Sequence, residues 1–261
     1  MTMTRRINVL GVGIDPLNLP AAVVAIGEAI RTRAQGYVCV TGVHGVSEAQ
    51  DDPAFRAILN RALLNTPDGM PMVWLGRWRG RREMDRVYGP DLLLEVCRVS
   101  QEAGWRHFFY GGAPGVAAQL AASLQERFPK LIVAGTYTPP FRPLNESETA
   151  ELRARVTEAR PDIIWVGLST PKQEAFMAAF LPRLDTTLMI GVGAAFDLLS
   201  GRVRQAPRWV QRSGFEWLYR LAQEPGRLWK RYLKNNPLFV WRVFLQLTGL
   251  RRYEMEKEQQ P

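Results

Sequence analysis

The sequence predicts a Rossmann-like α/β fold, a mostly parallel sheet with helices on both faces, and three observations carry the prediction. From residue 7 to about residue 200, short apolar runs alternate with amphipathic stretches of helical length. Those stretches are about 10–15 residues long, which suits the crossover that returns a chain to a parallel neighbour. Glycine or proline stands at several of the points where an apolar run passes into a helical stretch.

The elements follow in order. Ile7–Val12 reads as a strand, and Pro20–Ala34 as a helix opened by proline. Tyr37–Thr41 is a second strand, followed by a helical stretch that includes Pro53–Leu63. Pro90–Ala103 is helical, His107–Gly111 a strand, Pro114–Phe128 a helix, Leu131–Thr136 a strand and Glu146–Ala159 a helix. Asp162–Gly167, Pro171–Leu181, Thr187–Gly191 and Ala194–Leu199 continue the alternation. This divides the chain into an α/β core over residues 1–201 and a basic helical appendage over 202–261.

The appendage differs in kind. Trp209, Phe215, Trp217, Leu221, Leu228, Trp229 and Tyr232 recur at roughly helical spacing with basic residues between them, and the pattern resumes at Leu238, Trp241 and Phe244. Pro207, Pro225 and Pro237 are expected to divide it into short helices, because proline opens a helix more readily than it sits inside one. Between Arg202 and Arg252 there are 12 Lys and Arg against two acids, Glu216 and Glu224; the rest of the chain holds 22 cations and 23 acids. The net charge of +9 therefore resides in one segment. With tryptophan beside arginine, that segment suits an anionic membrane surface. The residues from Glu254 to Pro261 are polar and read as a frayed end.

Other classes recede. Cys39 and Cys97 each lie in an apolar run and read as buried thiols, so no disulfide framework is expected and a reducing compartment fits. The N-terminal residues read as a first strand rather than a signal peptide, and no apolar run reaches about 18 residues. The expectation is a cytoplasmic or peripheral protein. Two histidines, His44 and His107, and no Cys/His cluster leave no metal-ligand spacing. There is no Gly-x-Ser-x-Gly elbow and no Asp-x-Asp pair.

Open parallel sheets bind ligands beyond the carboxyl ends of their strands, where four loops stand out. Tyr110-Gly-Gly-Ala-Pro-Gly115 lets backbone approach a nucleotide at a helix N-terminus, or is a tight turn. In Asn65-Thr-Pro-Asp68-Gly-Met-Pro71 a carboxylate held at an apolar wall suits general-base work, or caps its own turn. In Gly167-Leu-Ser-Thr-Pro-Lys-Gln-Glu174, Lys172 and Gln173 reach a phosphate or a sugar hydroxyl, or merely start a solvated helix. In Gly191-Val-Gly-Ala-Ala-Phe-Asp197, the aspartate accepts from a nucleobase N–H or from nearby backbone.

Six stretches in this order carry a resemblance: Thr66-Pro-Asp-Gly-Met-Pro71, Arg86-Val-Tyr-Gly-Pro-Asp-Leu92, Gly111-Gly-Ala-Pro-Gly-Val116, Val166-Gly-Leu-Ser-Thr-Pro-Lys-Gln-Glu174, Gly191-Val-Gly-Ala-Ala-Phe-Asp197 with Leu-Leu-Ser-Gly201, and Glu216-Trp-Leu-Tyr-Arg-Leu221 with Glu224-Pro225. From Ile7 to about Phe244 the chain resembles the WecG/TagA/CpsF family of bacterial glycosyltransferases. The resemblance implies inverting, metal-independent transfer from a UDP-sugar to a polyprenyl-diphosphate-linked saccharide at the inner face of the cell membrane, with no cofactor. It implies that Asp68 is the catalytic base, that Arg86 and Gln173 are needed for activity, and that Asp197 reads the uracil. Gly111, Gly112, Pro114 and Gly115 are implied to lie near the nucleotide. Arg220, Arg227 and Lys230 or Arg231 are implied to reach the diphosphate, and the appendage to associate with the membrane. Many relatives carry an asparagine after the threonine that ends the second strand; here the run is Thr41-Gly-Val-His44. Thr41 and His44 stand as candidates for facing acceptor or donor sugar, and the donor stays open among N-acetylmannosamine, glucose and a uronic acid. A homo-oligomer also stays open. A nucleic-acid-binding module using the basic, tryptophan-bearing tail is the rival reading; it leaves Asp68, Gln173 and Asp197 without a purpose, so nucleic acid is not expected as a partner.

Overall fold

The computed structural model describes residues 5–255; the expected frayed end lies, from residue 256 on, outside them. The elements are β1 (Ile7–Val9), β2 (Val12–Ile14), α1 (Leu19–Arg31), β3 (Gly36–Thr41), α2 (Val43–Asp51), α3 (Pro53–Arg61), β4 (Leu64–Pro67), α4 (Met70–Trp78), α5 (Gly89–Ala103), β5 (Arg106–Gly111) and α6 (Val116–Arg127). They continue with β6 (Ile132–Tyr137), α7 (Glu146–Ala159), β7 (Ile163–Gly167), α8 (Lys172–Phe180), β8 (Leu188–Gly191), α9 (Ala195–Leu199), α10 (Arg208–Ser213), α11 (Glu216–Gln223) and α12 (Pro225–Leu247). Six strands form one parallel sheet in the order β4-β3-β8-β7-β5-β6, flanked by helices. This is the Rossmann-like α/β fold expected from the sequence.

The chain packs as two compact units. One holds the residues up to Asn18, Val40–Tyr88 and the residues from Gln205 onward; the other holds Leu19–Cys39 and Gly89–Arg204. The segment read as an appendage thus shares a unit with the N-terminal hairpin and with β4. Within that unit Leu228, Asn235 and Phe239 are buried, and Gln246 donates to the Asn8 carbonyl while its own side-chain oxygen accepts from Leu10 N–H.

Three elements differ from the sequence expectation. Ile7–Val12 is not one strand: β1 and β2 pair antiparallel, Ile7 against Ile14 and Val9 against Val12. Leu10 and Gly11 form the turn with φ of 53° and 83°, the two left-handed positions that a two-residue hairpin requires. The Asn8 side chain accepts from Gly11 N–H at 2.8 Å and fixes the turn. The polar run Leu64-Asn-Thr-Pro67 is a fully buried strand. Asn65 is tolerated there because its donors find partners: its N–H donates to Asp15 Oδ2 at 2.7 Å, and its side-chain amide donates to the Gly13 carbonyl at 2.9 Å. Asp15 is itself paired with Arg6 at 3.1 Å. Finally, α12 runs straight through Pro237. An internal proline costs a helix about 3 kcal/mol, and here anchors on either side offset it: Asn235 bonded to His44 and Phe239 buried.

The second unit contains the main apolar core, with Trp165, Phe108, Phe109 and Phe196 fully enclosed. His107 sits inside it, its Nε2 2.8 Å from Ser100 Oγ while Trp165 Nε1 donates to Nδ1 at 2.9 Å. Burial pushes its pKa down to about 3, so it is a neutral structural histidine. Both cysteines are buried and neither is in a disulfide, and burial pushes the Cys97 thiol up.

Candidate active site

In the first unit, Asp68 immediately follows β4, and its N–H donates to the Thr41 carbonyl at the end of β3 at 2.9 Å. The chain then turns sharply. Gly69, at φ 89° and ψ 147°, caps α4, a conformation open only to glycine. Gly42 lies so close that a Cβ there would stand 2.8 Å from the Asp68 carbonyl. Two backbone constraints thus hold the carboxylate in place.

Arg86 meets that carboxylate. Its Nε donates to Asp68 Oδ1 at 3.1 Å and a terminal nitrogen lies 3.1 Å from the same oxygen, while that nitrogen also reaches Glu216 Oε2 at 2.6 Å. The guanidinium lies 4.1 Å over the Tyr88 ring. Both contacts from Arg86 fall on Oδ1, so Oδ2 is the oxygen it does not engage. Burial raises the Asp68 pKa; Arg86 opposes the rise and Glu216 reinforces it. The side chain keeps 30% of its surface accessible, so the group is recessed rather than sealed. Burial works against the charge on Arg86 as well, but the two carboxylates outweigh it and its pKa is raised. Burial, then Glu216 and Asp68, raise the Tyr88 phenol. The outcome is a weakly basic, accessible carboxylate beside a permanently charged guanidinium.

Thr41 is buried, and its hydroxyl has no hydrogen-bond partner among the described residues. His44, in the first turn of α2, meets α12: its Nδ1 is 3.0 Å from the Asn235 amide and 3.4 Å from Glu48. Of the tail cations, Arg220 on α11 is near enough to lower the Asp68 pKa, and its buried Nε has no partner among the described residues. Arg227 pairs with Glu224 at 2.6 Å, Lys230 lies over the Trp229 ring, and Arg231 over Tyr232. Arg231 Nε is also buried and unbonded among the described residues.

In the second unit, the loops after β5, β7 and β8 pack backbone to backbone. A Cβ on Gly111, whose φ is 124°, would meet the Gly167 carbonyl at 2.6 Å, and Gly112 N–H donates to that carbonyl at 3.0 Å. Gly115 caps α6 in the left-handed conformation, with open space where a side chain would be. Gln173 is not a solvated helix start: it is buried, its amide donates to Glu174 Oε1 at 2.9 Å, and its Oε1 has no partner among the described residues. Glu174, buried too, accepts from Thr170 at 2.9 Å, and burial raises its pKa. Lys172 is exposed at the start of α8, and Asp197 is half-buried in the first turn of α9. A cavity of about 520 Å³ touches Pro114 and is lined further by Tyr137, Phe141, Glu148, Glu151 and Arg155. Its two carboxylates against one guanidinium make it unsuited to a diphosphate.

Sequence reasoning assigned no role to Glu216, Tyr88 or Glu174. Each stood inside a quoted motif, as the first residue of Glu216-Trp-Leu-Tyr, the third of Arg86-Val-Tyr and the last of Lys172-Gln-Glu. Only the fold reveals that Glu216, far along the chain, shares Arg86 with Asp68.

A six-stranded parallel sheet flanked by helices defines a Rossmann-like α/β protein. The sequence profile of the "Glycosyl transferase WecG/TagA/CpsF family" matches residues 7–253, and the chain belongs to that family. It is 31% identical over 196 residues to an N-acetylglucosaminyldiphosphoundecaprenol N-acetyl-beta-D-mannosaminyltransferase of Bacillus spizizenii, covering 75% of this chain and 74% of that protein. A Bacillus subtilis protein of the same description is 30% identical, over 72% of this chain and 74% of its own length.

Proposed function

We propose that this glycosyltransferase is an inverting enzyme that moves a hexose or N-acetylhexosamine from a UDP-sugar to a polyprenyl-diphosphate-linked saccharide, in the making of a cell-surface polysaccharide. The observation that carries the reading is the Asp68 carboxylate, recessed, raised in pKa, and with one oxygen not engaged by Arg86. Asp68 takes the proton from the acceptor hydroxyl. The hydroxyl oxygen bonds to the anomeric carbon as the bond from that carbon to the diphosphate breaks, and UDP leaves with the electron pair. Arg86 holds the base in position, and Arg220, with Arg227, Lys230 and Arg231, supplies positive charge for the leaving diphosphate. Gln173 offers its unbonded oxygen to a sugar hydroxyl, Thr41 and His44 contribute on the sugar side, and Asp197 reads the uracil. With no Asp-x-Asp pair in the sequence, arginines take the role a metal plays in many nucleotide-sugar enzymes, and the reaction needs no cofactor. The relatives' named acceptor, a diphosphoundecaprenol-linked sugar, supports a lipid-linked acceptor here.

The described residues contain no helix long and apolar enough to cross a membrane. Trp209, Phe215, Trp229, Leu233, Trp241 and Phe244 nevertheless present large apolar side chains to solvent. They support peripheral docking of the first unit on the inner leaflet, where each nearby cation contributes about 1 kcal/mol. The direct test is Asp68→Asn: UDP-sugar binding, followed by thermal shift across a panel of donors, is retained, and transfer falls by a factor on the order of 10² to 10⁴. Transfer within about threefold of the parent would remove Asp68 from the role of base.

A further inference from the structure

A second concentration of charge in the first unit lies outside the Asp68 cluster and shares no residue with it. A cleft of about 280 Å³ runs between the β1–β2 turn, α3, the end of α12 and the segment that follows, and four arginines line it: Arg56, Arg242, Arg251 and Arg252. One carboxylate, Glu254, is among the lining residues. Asp51 partly neutralises Arg242 from outside at 3.3 Å, so the lining keeps an excess of positive charge.

The arginines are held by a built framework. The Asn8 side chain donates to the Tyr253 carbonyl at 2.5 Å, and Arg251 N–H donates to the Leu245 carbonyl at 3.1 Å, which pins the segment after α12 along the hairpin. Gly11 permits this approach: at φ 83°, a Cβ there would stand 3.1 Å from the Glu254 carbonyl and 3.4 Å from the Arg56 stem. Arg251 lies 5.1 Å over the Tyr253 ring, which fixes the plane of its guanidinium. The turn's own polar groups are already in use, since Gln50 donates to the Leu10 carbonyl and Leu10 N–H donates to Gln246. The remaining side-chain donors of the cleft are the guanidinium forks, whose planar geometry matches phosphate oxygens, and the Tyr253 hydroxyl, which is buried with no hydrogen-bond partner among the described residues. Like charges lining one cleft repel one another, and a bound anion relieves the repulsion. Exposed Leu247 and Leu250 stand beside it in the chain.

We propose that this cleft is an anion site, separate from the catalytic centre, that takes a phosphate ester. That chemistry is common to a phospholipid headgroup and to a free phosphorylated metabolite, and two arms distinguish them: calorimetric titration with glycerol 3-phosphate, and flotation with vesicles of phosphatidylglycerol and phosphatidylcholine. Each arm compares the full chain with the Arg251→Gln/Arg252→Gln variant, both positions being exposed. An Arg153→Gln/Lys130→Gln variant, which removes the same charge from the other unit, is the control. Binding that falls at least about tenfold in the first variant and stays within about twofold in the control supports the site. A fall in the titration arm identifies a free ester, and a fall in flotation alone identifies the headgroup. Equal losses in both variants, or binding in neither arm that depends on Arg251 and Arg252, overturns the proposal. No transfer is measured, so failure here leaves the role of Asp68 where it stands.

Discussion

At the scale of single residues, the Asp68–Arg86–Glu216 cluster turns position into reactivity. Glu216 does two things at once: it takes part of the hydrogen-bonding capacity of Arg86, and its charge raises the Asp68 pKa. With Asp68 as the proposed base, which works in its ionised form, activity should fall as pH drops through its raised pKa, above the ordinary carboxylate value of about 4. Glu216→Gln removes the charge that raises it and frees Arg86 for Asp68, so the acid limb of the kcat/KM profile moves to lower pH. A limb that stays put or moves up would separate Glu216 from the base. Asp68 was legible as a candidate because a carboxylate in a turn beside apolar runs can serve as a base, although a turn aspartate more often caps its own backbone, and the family resemblance favoured the base. Its partner Glu216 was not, because nothing local relates residues so far apart in the chain.

At the scale of elements, the glycines and one proline show how far local rules reach. The alternation of apolar runs with helical stretches located five of the six strands of the parallel sheet, β3, β5, β6, β7 and β8. β4 escaped because Asn65, Thr66 and Pro67 are loop-forming by propensity, and only Asp15 and Gly13 from the hairpin make burying Asn65 tolerable. The hairpin escaped because its turn contains a leucine at positive φ, held by Asn8. Pro237 misled in the opposite direction: a helix breaker by itself, it lies inside a 23-residue helix anchored on both sides of it. Pro237→Ala should therefore raise the stability of the protein by about 1–3 kcal/mol in urea unfolding. An unchanged or lower midpoint would mean that the proline ring itself packs productively.

At the scale of the whole molecule, charge and exposed apolar surface bear on where the enzyme works. The cations counted between Arg202 and Arg252 do not form a detachable tail, since the residues from Gln205 onward belong to the same unit as β4 and the hairpin. Removing the segment would strip Glu216 from Arg86 along with the proposed docking surface, so point substitutions are the sharper test. Trp241→Ser/Phe244→Ser, both half-exposed or more, should lower flotation with anionic vesicles several-fold, on the order of 1–2 kcal/mol, while leaving the fold intact; undiminished flotation would move docking elsewhere. On the proposal that arginines rather than a bridged metal carry the diphosphate charge, transfer should also persist in excess EDTA; complete loss reversed by added Mn²⁺ would overturn that assignment.

Taken by itself, the amino-acid sequence determined the fold class, the order of most elements, the buried thiols outside any disulfide and the loops that follow the sheet strands. All of these rest on patterns of a few residues: hydrophobic period, glycine and proline placement, and motif order. Tertiary structure alone decided that Gln173 and Glu174 are buried together, that Arg86 is shared by two carboxylates, and that the basic C-terminal helices build part of the unit around Asp68. Those outcomes depend on which distant groups meet out of water, where burial and the nearest charge set a side chain's protonation and partners.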